Sequence, residues 1–169
     1  MANHDPLHNK QITNGLTPVA DAFAGGVATD LHSLENYRKI TWIIFTGAFE
    51  DTGVSNIVTV DASDDASASS TTAMAFNHRS MAWNATTEAA WGALTAATSS
   101  GYNFTTNNTA SNAIFAITVT ADKVEAAQAG AKFARLAIAE TANKTITAGV
   151  LVIMEDPRYA GDVPPSVQS

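Results

Sequence analysis

Four histidines, His4, His8, His32 and His78, are the only imidazoles of this chain, and it has no cysteine, which excludes a thiolate metal site and a cysteine nucleophile. His4 and His8 lie four apart, the spacing of a metal pair on one helical face, but Pro6 between them breaks such a helix. His78 stands beside Arg79 in an alternating segment and reads as a packed or edge residue rather than a base. Asp61, Ser63, Asp64 and Asp65 supply closely spaced oxygens, as a calcium loop would. The glycine bend and the bidentate glutamate of that motif do not follow, which leaves a solvated acidic loop. No G-x-S-x-G elbow occurs. The carboxylate pairs Glu50-Asp51 and Glu155-Asp156 fall where strands end and acidic residues form turns, and Gly25-Gly26 is not followed by the Lys-Ser or Lys-Thr of a phosphate loop. These residues predict no catalytic, cofactor-binding or metal-binding site.

The aromatic residues offer a different chemistry. Trp83, Trp91 and Tyr102 flank an Ala/Thr-rich stretch and could form a sugar-stacking platform, whereas Trp42, Phe45, Phe76, Phe104 and Phe115 sit in alternating segments and read as core.

Composition narrows the classes further. A chain of 169 residues with 46% hydrophobic side chains can build the core of one ordinary domain. Sixteen acidic against nine basic residues give a formal net charge of −7, and the cations are scattered, which argues against nucleic-acid binding. The opening residues lack the pattern of a signal peptide, and no apolar run approaches a membrane span, so no membrane association is expected.

The elements that would position these residues are strands. Val27–Leu34, Arg38–Phe49, Asn56–Ala62, Thr72–Trp83, Ala89–Thr95, Tyr102–Thr106, Ala113–Thr120, Lys132–Glu140 and Ala148–Glu155 follow at short spacing, and Ala121–Ala129 allows one or two helical turns. Ile40–Asp65 reads as a strand pair joined by the turn containing Gly53, and Lys132–Glu140 with Ala148–Glu155 as a second pair. The continuous run Val150-Leu151-Val152-Ile153-Met154 predicts a central strand buried on both sides. Without strand-helix alternation, the pattern predicts an all-β, antiparallel β-sandwich, jelly-roll-like, with one short helix; a barrel is the runner-up.

Residues 1–26 mix helix breakers with isolated apolar residues, Leu7, Ile12, Leu16, Val19 and Phe23. They predict an extended arm lying on a surface, its own or a neighbour's, with these five side chains as candidate partner contacts. The sandwich is expected over 27–160, with a Pro-containing tail at 161–169.

Several segments together resemble tailed-phage virion proteins that act as head decoration or cement proteins: VATDLHSLENYRKITWIIFTGAF, NIVTVDASDD, FNHRSMAWNATTEAAWGALTAATSSGY, KFARLAIAET and GVLVIMEDPRYAG. The resemblance spans most of residues 27–161. It implies a homo-oligomer, trimer or dimer, bound to the major capsid protein on the outer capsid surface of the virion, with no catalytic residues and no cofactor. The acidic balance suits an outer surface better than one facing packaged DNA. Rival readings are a carbohydrate-binding β-sandwich module, another phage head or tail structural subunit, and an enzyme of unknown type.

Overall fold

Alternation along the longer strands turns one row of side chains inward and the next outward, so each sheet buries a single face. The computed structural model of the chain describes residues 10–49, 54–83, 90–106, 112–141 and 145–158. Sheet one runs in the order β1 (Lys10–Val19), β12 (Ile146–Pro157), β4 (Tyr37–Phe49), β10 (Asn112–Thr120), β7 (Phe76–Trp83), β8 (Thr95–Ala97). Sheet two runs β2 (Val27–Ala28), β11 (Phe133–Glu140), β5 (Val54–Ser63), β6 (Thr71–Met74), with β3 (His32–Ser33) also on β11 and β9 (Tyr102–Thr106) also on β5.

The pairing is nested. β1 pairs with β12, β2 and β3 with β11, β4 with β10 and β5 with β9, every pair antiparallel. A long antiparallel ribbon folded over on itself gives this order, and it is that of a jelly roll. Between β5 and β9 the chain inserts β6, which joins sheet two, and β7 and β8, which widen sheet one beyond β10.

Sheet one contributes Ile40, Trp42 and Ile44 to the core, level with Val150, Val152 and Met154 on one side and Phe115, Ile117 and Val119 on the other. Val58, Val60, Leu136, Ile138 and Phe104 face them from sheet two. The helix α1 (Ala121–Ala127) follows β10 without a break and packs Ala121 and Val124 into the same core. Asp122 sits in its first turn, and Gly130 beyond its end takes a positive φ of 80°.

Five readings of the sequence are corrected by the structure, two of them by the nested pairing. Neither β4 and β5 nor β11 and β12 form a hairpin; each pair is split between the two sheets, and residues 50–53 lie outside the described residues. β12 is not buried on both faces: Val150, Val152 and Met154 are buried, while Leu151 points outward and is 41% exposed. Val27–Leu34 is two two-residue strands rather than one, because Thr29 turns inward between them and bonds Leu136 through both its backbone and its hydroxyl. The strand expected at Ala89–Thr95 is also displaced: residues 90–94 lie in no strand, and β8 begins at Thr95.

The start of the strands is corrected as well. Residues 10–19 form β1, registered on β12 from Lys10 opposite Glu155 to Val19 opposite Ala148, with register shifts after Asn14 and Leu16. Gly15 allows that close approach, since a Cβ there would lie 2.9 Å from Val152 Cγ2 and 3.1 Å from the Val150 carbonyl oxygen. The sheet therefore begins at Lys10, not at Val27.

Candidate functional site

The five candidate contact residues separate by face. Leu7 lies outside the described residues. Leu16 packs against the core, and Phe23 is 2% exposed with its ring edge-on to Phe104 at 6.1 Å. Ile12 and Val19 remain outside, 48% and 50% exposed. The bulge after Asn14 accounts for Leu16, because the extra residue reverses which side chains meet the core, and Phe23 lies beyond the end of β1.

Ile12 belongs to a larger feature that the sequence reading missed. Paired residues of antiparallel strands point to the same side, so the register places Ile12 beside Ile153, Leu151 beside Ile43, and Ile114 between Phe45 and Met81, all on the outer face of sheet one. Phe45 folds down over Gly149, where a Cβ would come within 2.6 Å of its ring and 2.8 Å of Pro18. Thr41 and Thr118, with hydroxyl oxygens 3.1 Å apart, form a polar island within this apolar surface. The signal was present in the sequence: uninterrupted apolar runs in β4 and β12 are what a sheet with one buried face and one apolar outer face requires.

The charges on this face are few and paired. Lys10 and Lys39 clamp Glu155 from either side at 2.7 and 2.8 Å. Partial burial pushes the Glu155 carboxyl up, but the two lysine hydrogen bonds outweigh it and its pKa is lowered. Farther along, Arg79 stacks on Trp91 with its guanidinium carbon 4.6 Å from the ring centre.

The platform of Trp83, Trp91 and Tyr102 does not assemble. Trp91 lies with Arg79 outside sheet one, whereas Tyr102 stacks on His78 between the sheets, ring centres 3.7 Å apart. The side chain of Trp83 lies outside the described residues. His78 and Arg79, adjacent in a strand, point to opposite faces and so share no pocket. Burial lowers the pKa of His78 and raises that of Tyr102, against a hydrogen bond with Ser80 that lowers it.

The acidic loop after β5 is satisfied by the protein itself. Asp65 accepts bonds from the backbone and hydroxyl of Ser67, each at 2.7 Å, and from the backbone and hydroxyl of Ser69; the Ser69 and Ser67 hydroxyls, in that order, hold its carboxyl down at about 2. Asp64 accepts from Gln128 at 2.9 Å, and Asp61 is paired with Arg135 at 3.1 Å. Ser63 bonds the loop backbone at Asp65 and Ser70. Among the described residues no three His, Asp or Glu side chains gather as a metal site. His4 and His8 lie outside them.

His32 is fully buried, and neither ring nitrogen has a protein partner. Burial pushes its pKa down to about 4, with Asp30 opposing the shift. Two clefts remain. One of about 480 Å³ near α1 holds the Lys132–Glu35 ion pair, 2.7 Å, together with Glu125 and Arg158. The other, about 700 Å³, lies between β6, β8 and α1 and is lined mostly by alanines. Neither gathers a histidine or a carboxylate beside a hydroxyl.

No family model matches the chain, and no curated protein matches it. Among solved structures it is similar to the crystal structure of the SPBc2 prophage-derived protein YomS, with a TM-score of 0.44 and 12% sequence identity over 86% of this chain and 93% of that one, a likeness too distant to transfer a function.

Proposed function

We propose that the chain is a virion structural protein of a tailed phage, a decoration or cement protein that binds the major capsid protein lattice on the outside of the head and strengthens it. It acts by burying surface, not by chemistry. The observation that carries this reading is the nested jelly-roll order, an architecture that capsid domains share. The sequence resemblance points the same way. So does the use of the polar side chains, for Asp61, Asp64, Asp65 and Ser63 serve turns and ion pairs.

Attachment is assigned to the two ends of the chain. Lys10 pairs with Glu155, so the described chain starts and finishes at the same end of sheet one. Two points of attachment on one sandwich multiply weak contacts when both engage neighbouring capsid subunits.

The test adds protein to purified heads that lack it and measures occupancy and resistance to heat. Full-length protein should bind and protect. Deletion of residues 1–9, of 159–169, or of both should lower occupancy, most in the double deletion, while circular dichroism stays that of a β protein. Full-length protein that leaves heads unoccupied and unprotected would sink the reading.

A further inference from the structure

We propose that the outer face of sheet one is a self-association surface, on which two copies of the chain pack face to face about a two-fold axis. This goes beyond attachment to a lattice, which was assigned to the ends of the chain, and it can be tested on the protein alone.

The apolar side chains come first. Ile12, Ile43, Phe45, Ile114, Leu151 and Ile153 form adjoining rows on β1, β12, β4 and β10, with Leu151 and Ile12 more than two-fifths exposed. Single exposed apolar residues are ordinary, but a contiguous sheet face of them is a surface awaiting burial.

Size agrees with a stable contact. Six strands spaced about 4.8 Å apart span about 24 Å, and β10 at about 3.4 Å per residue runs about 30 Å, so the face offers about 700 Å² in projection. A standard stable interface buries about 800 Å² on each partner.

Charge selects a second copy as the occupant. Two molecules of net charge −7 repel each other unless they meet where carboxylates are scarce or neutralised. On this face Glu155 is clamped by Lys10 and Lys39, and Arg79 lies over Trp91. Carboxylates such as Asp61, Asp64, Asp65, Asp122 and Glu125 are instead carried by sheet two, the loop after β5 and α1. Face-to-face packing here turns the acidic surfaces away from each other. An isologous contact also places the Ile43–Leu151 row of one copy against the same row of the other.

Edge-to-edge pairing is disfavoured by the same fold. β1 carries Lys10, Gly15, Pro18 and two register shifts, and β8 at the other edge has three residues, which are devices that blunt a sheet edge. Association is thereby directed to the face.

Sedimentation velocity and light scattering on the full chain across a wide concentration range test the proposal. The wild type should have the mass of two protomers, and Leu151→Glu should raise the dimer dissociation constant at least tenfold. Because Leu151 points outward, its circular dichroism and melting should stay close to wild type. Ala139→Glu, an added charge at an exposed site on sheet two, should leave the dimer intact. A wild type that is monomeric throughout, a mass other than two protomers, a Leu151→Glu protein that dimerises as the wild type does, or an Ala139→Glu protein that dissociates equally would each overturn the two-fold face contact.

Discussion

Acid should destabilise this protein through His32 before most carboxylates titrate. The ring is fully buried without a protein partner for either nitrogen, so the folded state holds it neutral, with a pKa near 4 against 6.5 in the unfolded chain. The folded pKa lies below the unfolded one, so the unfolded chain binds a proton between these values that the folded chain refuses. The stabilising contribution is therefore complete above pH 6.5 and is lost as pH falls toward 4. A difference of about 2.5 in pKa at about 1.36 kcal/mol each gives about 3 kcal/mol in full, of which about 2.5 kcal/mol is gone by pH 4.5. Against a typical stability of about 5–15 kcal/mol that loss is large.

The comparison that isolates His32 is urea unfolding of wild type and His32→Leu at several pH values from 7.5 to 4.5. Carboxylates titrate in both proteins and cancel in the difference. Whatever the cost of the substitution at neutral pH, His32→Leu should gain on the wild type by about 2.5 kcal/mol between pH 7.5 and 4.5. Parallel stability curves would show that His32 is solvated or charged in the folded state, and the packing assigned to β3 would be wrong.

Three further outcomes follow from the register and the close contacts. Val152→Asp, on the inner face of β12, should abolish soluble folding, since an unpaired buried carboxylate costs several kcal/mol, whereas Ile153→Asp, one residue on and facing outward, should fold; the reverse result in expression and circular dichroism would mean the strand is shifted by one. Gly101→Ala should lower the melting temperature by several degrees, because φ is 94° and the new Cβ would lie 2.5 Å from the Val58 carbonyl oxygen; an unchanged melt would refute that turn. Deleting residues 1–9 should leave the cooperative unfolding transition in place, but deletion through Val19 should broaden or abolish it by stripping β12 of its partner strand, and a sharp transition in the longer deletion would restore the arm as a separate element.

Much of the fold was legible because alternation is local. Val58 and Val60 on β5 and Phe115, Ile117 and Val119 on β10 mark the buried side of each strand, and all five are buried. The short helix was legible from the break in alternation at Ala121 and from Gly130. Pairing is not local, so adjacency suggested hairpins where nested order sends consecutive long strands to opposite sheets. For β1 the obstacle was its bulges: Gly15 and the register shifts break the alternation that would have marked it, and its helix breakers then read as an arm.

The same physics hid the apolar face of sheet one. A continuous run such as Val150–Met154 is compatible with burial on both sides or with one buried face and one apolar face turned outward, and only the neighbouring layer distinguishes them. Here sheet two covers one side and no described element covers the other, so Leu151 and Ile153 sit beside Ile43 and Ile12 instead of beneath a third layer. The apolar run Val150–Met154 is thus half core and half outer surface. Packing already explains Val150, Val152 and Met154, whereas nothing within the described chain explains why Leu151, Ile43 and Ile12 should be apolar together, and the proposed face-to-face contact would give them that reason.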